Sequence, residues 1–204
     1  MALNTLPAGA FADNAITSDK INLANNFAFT GTVTGASDLV KISTTTVSSQ
    51  NTDITLPTGY RVYKLIGSNL VTGTNSSSFN VYTTTDNFSS TDSDFEGSVS
   101  YQRIEAGNTG NETADGYFKL ANNMGADATD NLSFEVTFAE LTTTRTTGYN
   151  AFGFSTYGHN SDQESYRYVI GARSQTTSVV NGIRVACTTS SGLGGTISLY
   201  GVVM

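Results

Sequence analysis

Residues 132–141 read LSFEVTFAEL, and this stretch decides the fold class. Leu132, Phe134, Val136 and Phe138 recur at every second position, with Ser133, Glu135 and Thr137 between them. Side chains of an extended chain point alternately to its two faces. The spacing therefore puts the large apolar groups on one face and the polar groups on the other, whereas a helix would scatter them around its circumference. The segment reads as a strand with one side against a core and one toward water.

The same alternation recurs on both sides of it. Residues 60–66, 79–83, 98–104, 117–120, 151–156, 167–172, 182–188 and 196–203 are short runs of this kind, bounded by Gly, Asn, Asp and Ser. No long window combines Ala, Leu, Glu and Lys at helical spacing. About nine strands with turn signals and no helix predict an all-β, antiparallel β-sandwich. A jelly roll is the preferred version. Its expected core is Val62, Leu65, Phe79, Val99, Ile104, Phe118, Leu132, Phe134, Val136, Phe138, Phe152, Phe154, Val169, Ile183, Val185, Ile197 and Leu199.

Composition supports this reading and narrows the function. Charged residues make up 13% of the 204-residue chain, against about a quarter in ordinary soluble domains. Thr, Ser, Asn and Gly take their place, which suits strands and turns. The net charge of −7 and the scattered Lys and Arg argue against nucleic acid as a partner. Cys187 is the single cysteine, so intrachain disulfides and four-cysteine zinc sites are excluded, and its apolar surroundings place it in a core. No apolar run approaches the roughly 20 residues of a membrane helix. The first residues lack the basic region and apolar block of a signal peptide, so synthesis in a cytoplasm is expected.

Three zones follow along the chain. Residues 1–36 spread Leu3, Leu6, Phe11, Ile16, Ile21, Leu23, Phe27, Phe29 and Val33 too thinly to form one apolar face, yet carry no run of charge. Such a segment gains its missing contacts from other chains, so it reads as an extended anchor and trimerisation segment. Residues 37–58 read as a connector that becomes the first strand or strands. Residues 59–204 read as the β-sandwich domain, with enough apolar residues to fold alone.

The search for a chemical site finds few residues to build one. His159 is the only histidine and lies in the turn-rich YGHNSD, residues 157–162, with no Gly-x-Ser-x-Gly nucleophile motif anywhere. Asp92, Asp94 and Glu96 alternate in a loop and form a weak calcium candidate, but the twelve-residue calcium-loop pattern is absent and a solvated loop is the plainer reading. Asp127 and Asp130 stand the same way. The Gly-rich residues 190–196 lack the Lys-Ser/Thr of a phosphate loop and read as a hairpin connection. Tyr149, Tyr157, His159 and Tyr166, with Tyr168 nearby, make a candidate glycan or partner contact. Their alternative is strand-end packing with hydroxyls in water. Asn75, Asn87, Asn111 and Asn131 stand in glycosylation sequons, which matter only in a secretory pathway. No enzyme activity, metal or cofactor is expected.

Both ends resemble a family. LPAGA (6–10), NAITSDKI (14–21) and NFAFTGTVTG (26–35) resemble the N-terminal parts of short structural proteins of tailed bacteriophages, marine ones especially. GTISLYGV (195–202) is similar to the closing strand of fibre-tip and capsid-appendage domains. The resemblance implies a virion protein, assembled in the host cytoplasm, that forms a homotrimer. Its N-terminal residues would dock on the major capsid protein or another virion protein, and its sandwich would face outward. The length favours a capsid decoration protein or short head fibre. A tail-fibre, receptor-binding protein that reads host surface glycans is the alternative.

Overall fold

A computed structural model describes residues 39–91, 95–105, 107–127, 129–142, 148–159 and 164–202. The chain divides into two units, residues 1–36 and 37–204, and the described residues belong to the second. The expected anchor positions Leu3, Leu6, Phe11, Ile16, Ile21, Leu23, Phe27 and Phe29 lie outside the described residues, as do Asp92 and Asp94.

Among the described residues there are twelve strands and no helix: β1 (Leu39–Thr46), β2 (Asn51–Thr55), β3 (Val62–Val71), β4 (Ser77–Thr84), β5 (Phe95–Arg103), β6 (Thr109–Asp115), β7 (Phe118–Met124), β8 (Leu132–Ala139), β9 (Tyr149–Gly158), β10 (Ser165–Ser174), β11 (Gly182–Cys187) and β12 (Gly194–Val202). They form an eight-stranded sheet in the order β1-β12-β3-β8-β9-β10-β5-β6 and a four-stranded sheet in the order β2-β11-β4-β7. Neighbouring strands pair antiparallel throughout. The protein is an all-β sandwich, as the alternation predicts.

Without β5, β6, β9 and β10, the order β1-β12-β3-β8 faces the order β2-β11-β4-β7. That is the doubly wound arrangement of a jelly roll. The hairpins β5–β6 and β9–β10 are inserted after β4 and after β8, and they widen one sheet only.

The core sits between the sheets. Leu65, Val136, Phe138, Ile197 and Leu199 of the larger sheet join Phe79, Val81, Phe118, Leu120, Ile183 and Val185 of the smaller in one buried cluster. The Phe118 and Phe138 rings lie 6.3 Å apart. Burying each such side chain stabilises by about 1.5–3 kcal/mol before conformational entropy is subtracted.

Several expectations are corrected. Phe152 (64% exposed), Val169 (59%), Ile104 (52%) and Phe154 (51%) are not core residues, and Val62 is half-buried. The core instead takes Tyr63, Tyr149, Tyr157, Tyr168 and Ile170. Strand β6 was not expected, because TGNETAD has no apolar alternation; it forms the sheet edge and pairs with β5 alone. The Gly-rich residues 190–196 do not close a hairpin. They lead from β11 in one sheet to β12 in the other.

Candidate functional site

Strand β9 sets the character of the larger sheet's outer surface. Its side chains alternate strictly, with Tyr149, Ala151, Gly153, Ser155 and Tyr157 inward and Asn150, Phe152, Phe154 and Thr156 outward. Hydrophobicity alone would choose the opposite parity. Hydrogen bonds and space on the inner side explain the choice. Ser155 Oγ donates to the Leu120 carbonyl of β7 at 2.5 Å. The Tyr149 hydroxyl shares a 2.5 Å hydrogen bond with Thr83 Oγ1 of β4. Tyr157 Oη donates to Tyr168 Oη at 2.8 Å. At Gly153 an added Cβ would lie 2.4 Å from the Glu135 carbonyl oxygen. A one-residue slip would drive phenylalanines into this crowded layer and strand every one of these polar groups.

The outward residues line up across the strands. One row runs Ser198, Ile66, Glu135, Phe154, Val169, Ser100 and Asn111. The next runs Tyr200, Lys64, Thr137, Phe152, Gly171 and Ser98. Phe154 and Val169 stand in register, with Phe152 two residues along β9 on the same face, so the three lie within reach of one another as one apolar patch. Gly171 lies opposite Phe152 with open space where its Cβ would be, so the patch has a dimple beside its largest ring. One ion pair and one uncompensated cation flank it. Lys64 pairs with Glu135 at 2.7 Å, whereas exposed Arg167 donates to the neutral Gln102 at 2.5 Å and keeps its charge.

Burial removes Tyr149 and Tyr157 from the expected glycan or partner contact, while His159 and Tyr166 stay partly exposed. Tyr149 is 2% exposed and Tyr157 3% exposed, with their hydroxyls bonded inside the sandwich. Neither can meet a ligand from solvent, and neither keeps its hydroxyl in water. Burial raises the pKa of both Tyr157 and Tyr168, so the hydroxyls stay protonated and bonded. Tyr166 and His159 are half-buried, with ring centroids 4.8 Å apart, and His159 Nε2 lies 2.9 Å from Asn123 Nδ2. Together with the Arg103–Glu164 ion pair, these rings stitch β5, β9 and β10 together.

The described carboxylates do not converge on a metal site. Glu96 stands exposed on β5 within 3.4 Å of Gln175 Nε2. Asp130 is buried in a turn where its backbone N–H donates to the Asp127 carbonyl at 2.9 Å. Among the described residues no three His, Cys, Asp or Glu side chains gather as metal ligands. Cys187 is buried, as its sequence context implies.

No protein-family model matches the chain, and no curated protein matches it.

Proposed function

We propose that this chain is a structural protein of a bacteriophage virion. In this reading it is a homotrimeric capsid decoration protein or short head fibre, which docks through its N-terminal residues and displays the sandwich outward. The observation that carries the self-association is the outward-facing patch of Phe152, Phe154 and Val169. Inner polar bonds hold β9 in the parity that exposes two phenylalanines, so the exposure is built into the strand. Contiguous apolar surface of this kind marks an interaction site.

A second copy suits the patch better than a charged partner. Lys64 and Glu135 beside it are already paired within the chain, so covering that pair with a second copy strands neither ion. Around a threefold axis, Phe152 and Phe154 of one copy meet those of the other two, and the ring closes. Three N-terminal segments held together then bind a particle with an avidity that one segment lacks. The virion assignment draws its support from the resemblance of residues 6–35 and 195–202 to phage structural proteins.

Sedimentation velocity of the full chain tests the assembly. A trimer is expected, and the double variant F152S/F154S should sediment as a monomer with its β-sheet circular dichroism intact. A monomeric full chain at micromolar concentration, or a trimeric double variant, would overturn it. Imaging of purified particles tests the virion assignment, which fails if the protein is absent from them.

A further inference from the structure

Asn181 and Gly182 form the chain's single Asn-Gly pair. The side-chain amide of an asparagine is open to attack by the backbone nitrogen of the next residue. Glycine, with no side chain, leaves that nitrogen the least shielded. Here packing imposes the glycine. A Cβ on Gly182 would lie 2.3 Å from the Phe88 ring and 2.9 Å from Thr84 Cγ2. The start of β11 therefore carries a chemically labile dipeptide because the loop after β4 leaves room for nothing larger.

The asparagine is held on every side. Its Nδ2 donates to the Thr85 carbonyl at 3.0 Å, and its Oδ1 accepts from the Asn87 N–H at 3.3 Å. Its backbone N–H donates to the Thr84 carbonyl at 2.9 Å, and its own carbonyl accepts from the Leu56 N–H at 3.0 Å. These bonds fix both the side chain and the backbone, and those to Thr84, Thr85 and Asn87 all run to one loop. For the Gly182 nitrogen to reach Asn181 Cγ, the side chain and the peptide that follows it must rotate together, which the clasp forbids while it is closed. The clasp lies at the surface, however. Thr85, Asp86 and Asn87 are exposed and Asn181 is half-buried. Water therefore reaches the site through a local opening of the loop, without global unfolding.

We propose that Asn181 is a gated deamidation site, converted only when the loop of residues 84–90 lifts from β11. Hydroxide takes the Gly182 amide proton, the nitrogen bonds to Asn181 Cγ, and the Cγ–Nδ2 bond breaks. Nδ2 leaves as ammonia on a proton from water, which restores the hydroxide. Water then opens the five-membered imide at either carbonyl, giving aspartate or isoaspartate. An aspartate carboxylate has no hydrogen for the Thr85 carbonyl. Isoaspartate adds a backbone carbon just ahead of Gly182, where β11 pairs with Thr55 and Thr84. Either product loosens the clasp that protected the amide, so the change runs one way and marks the age of each chain. The site goes beyond the assembly reading and uses none of the self-association residues.

Peptide mapping by mass spectrometry of the full chain, aged at mildly alkaline pH, tests it. Cleavage after Arg173 and Arg184 releases residues 174–184, in which Asn181 is the only asparagine, and fragment ions separate a change there from one at Gln175. Conversion of the folded chain is expected, at a rate about tenfold or more below that of the urea-unfolded chain. Asp86→Ala removes the carboxylate that holds Thr84 and Ser90 in the loop and should raise the folded-state rate severalfold. If D86A does not fold, Ser90→Ala, which removes the Oγ bond to Asp86, should act in the same direction. Equal rates in the folded and unfolded chain, or a folded-state rate that neither variant raises, would overturn the gate. A folded chain that never converts at Asn181 would overturn the site itself.

Discussion

A single exposed carboxylate, Asp86, organises the loop that leaves β4. Its Oδ1 accepts from Thr84 Oγ1 at 2.7 Å and from the Ser90 N–H at 3.0 Å, and its Oδ2 accepts from Ser90 Oγ at 2.6 Å. Bonds from Ser90, then Thr84, favour the charged form and bring its pKa from 3.8 down to about 2. The loop includes Asn87 and Phe88 with φ of 57° and 70°, a left-handed conformation that Asn tolerates and a bulky Phe adopts only with support. Phe88 fills the space where a Cβ on Gly182 would sit, 2.3 Å from its ring. Because the folded pKa is depressed, the stabilisation is fully present above pH 3.8 and is lost as pH falls toward about 2. The melting temperature of the native chain should therefore drop across that window more than that of Asp86→Asn, as read by circular dichroism. Parallel pH curves would show that the carboxylate does not hold the loop. Nothing in TTTDNFSS distinguishes Asp86 in the sequence, because its role depends on Ser90 folding back onto it. Cys187 was legible because apolar neighbours in a strand leave it one place to go.

At the level of the strand, β8 and β9 show where the pattern rule works and where it stops. In β8 the apolar parity and the buried parity coincide, residue for residue. In β9 they are opposed, because Ser155 and the two tyrosines satisfy polar groups inside while Phe152 and Phe154 look out. Periodicity gives the existence of a strand, but which face is buried depends on what lies opposite. For β9 that is β7, which presents the Leu120 carbonyl. The two parities make opposite forecasts for mutation. Ser155→Ala removes the bond to that buried carbonyl and should destabilise by about 1–3 kcal/mol. Phe154→Ser should change stability by no more than about 0.5 kcal/mol in dilute, unassociated chain. Urea denaturation of both variants decides it, and a larger loss in F154S would reverse the assigned parity. Strand β6 escaped the sequence for a related reason. An edge strand draws its stability from the ladder with β5, so it needs no apolar face to give it away.

For the molecule as a whole, the sandwich class was readable from alternation and composition, and the strand order was not. Two inserted hairpins join a jelly roll on one side only, and that choice rests on pairings between segments far apart in sequence. The widening creates the outer surface that carries the apolar patch. Since every described strand and the whole buried cluster lie after residue 36, a chain beginning at residue 37 should fold alone. Cooperative thermal unfolding, with the β-sheet spectrum retained, is the expected result; a non-cooperative melt would show that the first 36 residues belong to the fold.

The ladder between β1 and β12 has a mechanical consequence. Leu39 and Val202 stand opposite each other at one end of it. Tension between those two positions opens the ladder at that end, so its hydrogen bonds fail in sequence and β1 peels away like a zip. Tension between Leu39 and the Phe152–Phe154 face takes a different route, across β12, β3 and β8. That path sets the successive ladders in series, so each carries the whole force and the weakest of them sets the limit. A copy held by its N-terminal residues on one side and by its neighbours' β9 on the other would carry strain along this second route, with the β1–β12 ladder as its first link.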